Sequence, residues 1–322
     1  MEKWGQSGWR VVGESVRGAA HERAGMPNQD AIRWEPLQGG NPPLVLCLSD
    51  GHGGARYCRS DVGSRLAVDT GVEVIREFLA GHEGVDNLSV VKRSAEEKLT
   101  QALARRWREA VAAHIAEQPL TAGEELLLVG RPAAAAAPAD AAGGEATTAA
   151  GVRAAIPGHV AYGATLLAAV VAPRFILYLQ LGDGDILAVS TRGEVVRPLA
   201  GDERLFANET TSLCSKDAWR DFRVSFQVSS GEPPALIVLS TDGYANCFRG
   251  EADFLKVGSD FLEMMRANGV ESVAESLESW LAEASRVGSG DDITLGIMCR
   301  LDALSRTQPA EPDTGGGAGP HD

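Results

Sequence analysis

The stretch "LVLCLSDGHGG", residues 44–54, is an apolar run of strand length that stops at an aspartate and spends the next four positions on three glycines and a histidine. Two further runs end alike, "ILYLQLGDG" at Asp183 and "LIVLSTDG" at Asp242, and Asp291 stands just before another, "ITLGIMC". An aspartate before glycine is an ordinary turn signal when met once. Met at four strand ends, it predicts carboxylates converging on one sheet rim if the strands lie side by side. A like-charged pair at about 4 Å costs ~1 kcal/mol in water and ~4 kcal/mol at an effective dielectric of about 20, so such a rim needs cations. Carboxylates and backbone carbonyls are hard oxygen donors that suit Mg2+ or Mn2+, and the lack of paired cysteines and histidines argues against zinc. Glycine after the aspartate lets the backbone turn sharply and aim a carbonyl at an ion. His52 directly follows the candidate ligands Asp50 and Gly51, where an imidazole reaches the rim and can give a proton to a leaving group.

Outward from this stretch, residues 54–80 place Cys58, Val62, Leu66, Ile75 and Phe78 at near-helical spacing, which predicts an amphipathic helix. In 89–118, Val91, Ala95, Leu99, Leu103, Trp107, Val111 and Ile115 form a second apolar stripe with Trp107 in the core. The basic trio Arg105, Arg106 and Arg108 reads as a solvated helix face. Residues 119–158 are rich in alanine, glycine and proline around one short LLLV segment. They offer too little apolar surface to offset ordering entropy and predict a disordered insertion. "YGATLLAAVV", "RFILYLQLGDGDILAVS", "FRVSFQVS" and "ALIVLSTDG" then follow as strands whose connections are too short for crossover helices, so their pairing is antiparallel. Helical patterns over 253–267 and 270–286, split by Asn268-Gly269, and a last strand "DITLGIMCR" close a single domain over 1–300. The tail 302–322 is expected to be disordered. This order of elements predicts an α+β fold in which antiparallel sheets are covered by helices.

A chain of 322 residues with 44% hydrophobic content can bury a sizeable core. Its formal charge of -14 argues against nucleic acid and anionic membranes as partners, since phosphate surfaces repel it. Cys47, Cys58, Cys214, Cys247 and Cys299 lie far apart without a CxxC pair, as reduced core residues do. The first residues, "MEKWGQSGWRVVG", lack a basic segment followed by an apolar one, and no run approaches the roughly 18 apolar residues of a membrane helix. The expectation is a soluble cytoplasmic protein.

"QDA" at 29–31, "DGHGG" at 50–54, "YGATL" at 162–166, "LGDGD" at 181–185, "STDG" at 240–243 and "GSGDDIT" at 288–294 resemble, in this order, the motifs of the metal-dependent type 2C serine/threonine protein phosphatases. They span nearly the whole chain. Gln29-Asp30 and "FANET" at 206–210 resemble the bacterial branch of that family. The resemblance implies a four-layer sandwich, two antiparallel sheets flanked by pairs of helices. It further implies that Asp50 bridges two Mn2+ or Mg2+ ions, that Asp242 and Asp291 complete one ion's shell, and that the Gly51 carbonyl helps hold the other. Asp30 then orients a metal-bound water or serves as a ligand, and Asp183 with Asp242 holds a loosely bound third ion. The reaction implied is in-line attack of a metal-bridging water on phosphoserine or phosphothreonine in phosphoproteins, with His52 as general acid.

Three positions depart from the family pattern. Gln29 replaces an acidic residue, so affinity for the second ion should fall. Gly25 stands four residues before it, where better-known members carry a phosphate-binding arginine, which leaves Arg23 or His21 as substitutes. "GDGD" adds Asp185, which strand alternation turns away from Asp183. The first two departures motivate an alternative, a noncatalytic phosphopeptide-binding regulator on the same fold. A metal phosphohydrolase acting on small metabolites differs only in substrate. Residues 186–227 are expected to contain the family's variable flap.

Overall fold

A run such as residues 44–49 lacks polar alternation because both of its faces are covered. The computed structural model describes residues 8–129, 157–199 and 211–305. Among these, one five-stranded sheet runs β1 (Trp9–Val16), β10 (Ile293–Arg300), β9 (Leu236–Ser240), β6 (Asp185–Val189) and β7 (Val195–Val196). The other runs β2 (Ala31–Glu35), β3 (Leu44–Ser49), β4 (Leu166–Val171), β5 (Phe175–Leu181) and β8 (Arg223–Val228). Every strand pairing in both sheets is antiparallel.

Strand alternation divides each central strand between two cores. Leu44, Leu46 and Leu48 of β3 meet Leu167 and Ala169 of β4, Ile237 and Leu239 of β9 and Met298 of β10 in a layer between the sheets. Val45 and Cys47 face the other way, into a core built with α2 (Ser60–Gly81) and α4 (Thr100–Glu117). Leu236 and Val238 of β9 and Leu295 and Ile297 of β10 likewise turn outward, against α7 (Glu251–Asn268) and α8 (Val270–Val287). The result is the α+β four-layer sandwich expected, helices outside and sheets inside, held by three apolar cores.

The stripe from Val91 to Ile115 repeats every four residues, which overshoots an α-helical turn by about 40° per step. The chain absorbs the drift. Between α3 (Leu88–Ser94) and α4, residues Ala95–Leu99 form a wider π-helical turn whose extra residue takes up about 100° of this drift. Val91, Ala95, Leu99, Leu103, Trp107 and Val111 are all buried. The indole Nε1–H of Trp107 donates to the Gly63 carbonyl at 3.0 Å, so its one polar atom is satisfied inside the core.

Several expectations are corrected. The helix expected over 54–80 begins only at Ser60, after a single 3-10 turn at Ala55–Tyr57, because Gly53 and Gly54 have no side chain with which to hold a first helical turn. Disorder was expected from 119, yet α5 (Ala122–Val129) forms there, with Leu128 buried. Arg59 anchors its start, bonding to both carboxylate oxygens of Glu124 at 2.7 and 2.9 Å and to the carbonyls of Gln118 and Pro119. The first residues of the tail expected to be disordered from 302 instead belong to α9 (Leu301–Leu304). The rest of the insertion (130–156), the "FANET" segment and the tail from 306 lie outside the described residues. No described helix is long and apolar enough to cross a membrane.

Candidate active site

The aspartate-ended strands do not lie side by side in one sheet. β3 and β5 belong to one sheet and β9 and β10 to the other, so their carboxylates meet across the gap between two facing sheets. Asp50 follows β3, Asp183 sits in the turn that carries the chain from β5 of one sheet to β6 of the other, and Asp242 opens the short helix α6 (Asp242–Ala245) after β9. Asp291 precedes β10 and Asp30 precedes β2.

These five carboxylates feel one another. Burial pushes the Asp50 carboxyl well above the usual range, and Asp30, Asp242 and Asp183 push it further. Asp242 is raised by burial and then by Asp183 and Asp291. Asp30 is raised by burial and by Asp292 and Asp242, against the hydrogen bonds that stabilise its charged form. Asp50 and Asp242 act on each other directly, a mutual repulsion that only a positive charge between them relieves. A cation fits there: a divalent ion supplies the missing positive charge to a set of hard oxygen donors. Among the described residues no three His, Cys, Asp or Glu side chains stand close enough to hold an ion by themselves. The cluster is therefore an acidic rim, and backbone carbonyls and water would complete any shell.

Gly51 is confined by close approach. A Cβ there would lie 2.5 Å from the Gln29 carbonyl and 2.7 Å from that of Ser60, while its N–H donates to Gln29 O at 3.1 Å. His52 donates its backbone N–H to Gly163 O at 3.0 Å, and its ring lies 5.0 Å from that of Tyr57. Burial lowers the imidazole pKa to about 4, with Asp183 pulling it up and Arg56 pushing it down. Asp185 turns aside to Arg197 at 2.6 Å, as strand alternation implied. His21 Nδ1 lies 2.9 Å from the buried Asp292 Oδ2, and Arg23 is exposed on α1 (Ala19–Ala24).

Sequence reasoning missed the polar frame behind the rim. Thr241 Oγ1–H donates to Asp30 Oδ2 at 2.8 Å and accepts from the N–H of Thr294 at 3.0 Å. Thr165 brackets Asp50, its hydroxyl accepting the Asp50 N–H at 2.9 Å and its N–H donating to Asp50 O at 2.8 Å. Asp292, overlooked beside Asp291, is 3% exposed and accepts the backbone N–H groups of Gly18 and Gln29, both at 2.6 Å. Gln180 Nε2 donates to the carbonyls of Gly182 and Gly184, holding the turn that presents Asp183. A polar residue inside an otherwise apolar run, as at Gln180, or at its edge, as at Thr241 and Thr165, was the available signal.

A model of the family described as protein phosphatase 2C matches residues 17–282. No curated protein matches the chain. The catalytic domain of the serine/threonine protein phosphatase PstP in complex with two manganese ions is 17% identical, with 91% of this chain and 98% of that one covered at a TM-score of 0.52. The serine/threonine phosphatase PstP/Ppp of Mycobacterium tuberculosis gives 17% identity, 91% and 99% coverage and a TM-score of 0.52. Stp1 from Staphylococcus aureus gives 13% identity, 90% and 94% coverage and a TM-score of 0.53. At these identities the likeness is one of fold.

Proposed function

The chain belongs to the protein phosphatase 2C family, and from that premise we propose that it hydrolyses phosphoserine and phosphothreonine in phosphoproteins with the help of Mn2+ or Mg2+. The observation that carries this reading is the convergence of Asp30, Asp50, Asp183, Asp242 and Asp291 from two sheets, each close enough to shift its neighbours' carboxyls or be felt by them. Asp50 would lie between two ions, with Asp242 and Asp291 on one and the Gly51 carbonyl on the other; Asp183 and Asp242 would hold a third loosely. The two manganese ions in the PstP complex support this count. When bound, such ions neutralise the phosphoryl charge and activate a water near neutral pH.

The chain's own groups do the rest. The Asp30 carboxylate, fixed by Thr241, accepts a hydrogen bond from the attacking water and aims it at phosphorus. A P–O bond forms to that water, which passes one proton to Asp30, as the bond to the serine or threonine oxygen breaks, and the leaving oxygen takes its proton from His52. The buried imidazole is neutral at neutral pH, so it must gain that proton as the phosphoryl dianion arrives and raises its pKa. Manganese-stimulated phosphate release from a phosphothreonine peptide, abolished by chelator, is the expected result; no turnover between pH 6 and 9 in millimolar manganese removes the reading.

One observation favours a second reading. Gln29 is neutral, and His21 is drawn to Asp292, which leaves the rim short of a carboxylate and of one candidate phosphate contact. On this reading the protein is a phosphopeptide-binding regulator. Micromolar phosphopeptide binding without cleavage in the same assay distinguishes it.

A further inference from the structure

An acidic rim repels the dianion it is meant to receive, so a productive site needs a cation at its mouth. On β2, just before α2 and along α2 the arginines are neutralised: Arg33 by Asp69, Arg59 by Glu124, Arg65 by Asp61 and Arg76 by Glu35. Arg56 differs. It is exposed, and among the described residues no carboxylate pairs with it. Its guanidinium instead lies over the Tyr57 ring, 4.5 Å from the centroid, and donates to the Tyr57 hydroxyl.

Tyr57 is also the ring that stands 5.0 Å from His52. Arg56, Tyr57 and His52 therefore form a short ladder running from solvent to the rim. Its inner end is wedged: a Cβ on Gly163 would lie 2.6 Å from Tyr57 Cδ1 and 2.8 Å from His52 Cδ2, so the two rings rest against bare backbone. A planar fork of donors held over an aromatic ring keeps little rotamer freedom to lose, and it matches phosphate oxygens two at a time.

We infer that Arg56, positioned by Tyr57, binds the phosphoryl group of the incoming substrate at the mouth of the site. The assignment rests on the phosphatase reading for its substrate, but phosphoryl binding is measurable without turnover. The test is calorimetric titration of the manganese-loaded full chain with inorganic phosphate and, separately, with a phosphothreonine peptide and its unphosphorylated twin. Arg56→Ala should weaken phosphate and phosphopeptide alike by about tenfold, Arg56→Lys by less, and Tyr57→Phe, which keeps the ring but loses the hydroxyl, by an intermediate amount. Where turnover is measured, KM should rise about tenfold with kcat moving less than threefold, the signature of lost ground-state binding. A wild-type protein that binds phosphate through Arg56 yet cleaves nothing removes the phosphatase reading and upholds this one. Phosphate binding within twofold of wild type in Arg56→Ala overturns it, whether or not the peptide is weakened, since a guanidinium that reads only peptide chain is not a phosphoryl ligand.

Discussion

At the scale of single residues, the site is a set of charges that oppose folding until something positive joins them. Replacing Asp242 by Asn keeps the side chain's shape and removes one charge from a carboxyl already raised by burial, Asp183 and Asp291. Turnover should fall more than about a hundredfold. The metal-free protein should melt about 2–4 °C higher at neutral pH, because a group whose folded pKa is raised costs stability once the pH exceeds its unfolded value. Calorimetry in chelator checks this, and a lower melting point contradicts it. Gln29→Glu runs the other way: it adds a carboxylate next to Asp30 and should lower the manganese concentration for half-maximal rate, read from a metal titration of initial rates. Asp50, Asp183, Asp242 and Asp291 were legible because each ends or precedes an apolar run, whereas Asp30 was reached only through the resemblance of Gln29-Asp30-Ala31 to a family motif. Thr241, Thr294 and Asp292 were not: a hydroxyl or second carboxylate acquires meaning only from partners such as Asp30, reached across 211 residues from Thr241.

At the scale of elements, the helices were readable where their stripes were long. Trp107, 1% exposed and bonded to Gly63 O, ties α4 to α2; Trp107→Ala should cost about 3–5 kcal/mol, measured by urea denaturation with unchanged slope. α5 escaped the sequence reading because eight residues with little periodicity are not stable alone; the Arg59 contacts, buried Leu128 and packing on the Gly158–Tyr162 turn hold them. The hydrogen bond from Arg59 holds the Glu124 carboxyl at about 2 rather than the ordinary 4.5. Its contribution is present above the ordinary value and lost as pH falls through about 2. Glu124→Gln should therefore lose about 1 kcal/mol at pH 7, discounted for partial exposure. The gap to wild type should close progressively on acidification toward pH 2; a constant gap across that window contradicts the pairing.

At the scale of the whole molecule, α5 packs against the turn at Gly158–Tyr162, so the chain leaves and re-enters the fold at neighbouring points. Replacing 130–156 with a short glycine-serine link should leave the melting temperature within about 2 °C, since only a modest loop-closure term changes; loss of cooperative unfolding would show that the segment packs. The sequence by itself determined the apolar strands, though not β1, β2 or β7, the two helix pairs, the net acidity and the places where carboxylates end apolar runs, because hydrophobic period and turn chemistry are local properties. It could not determine which strands share a sheet. Several central strands are apolar on both faces and differ little as partners, so pairing was decided by how three cores fill together. That packing sends the chain across from β5 to β6 at Asp183, pairs β1 with β10 from opposite ends of the described chain, and turns a supposed sheet edge into a cleft between two sheets. The charges were written along the chain, but their convergence depends on a register that only the complete packing selects.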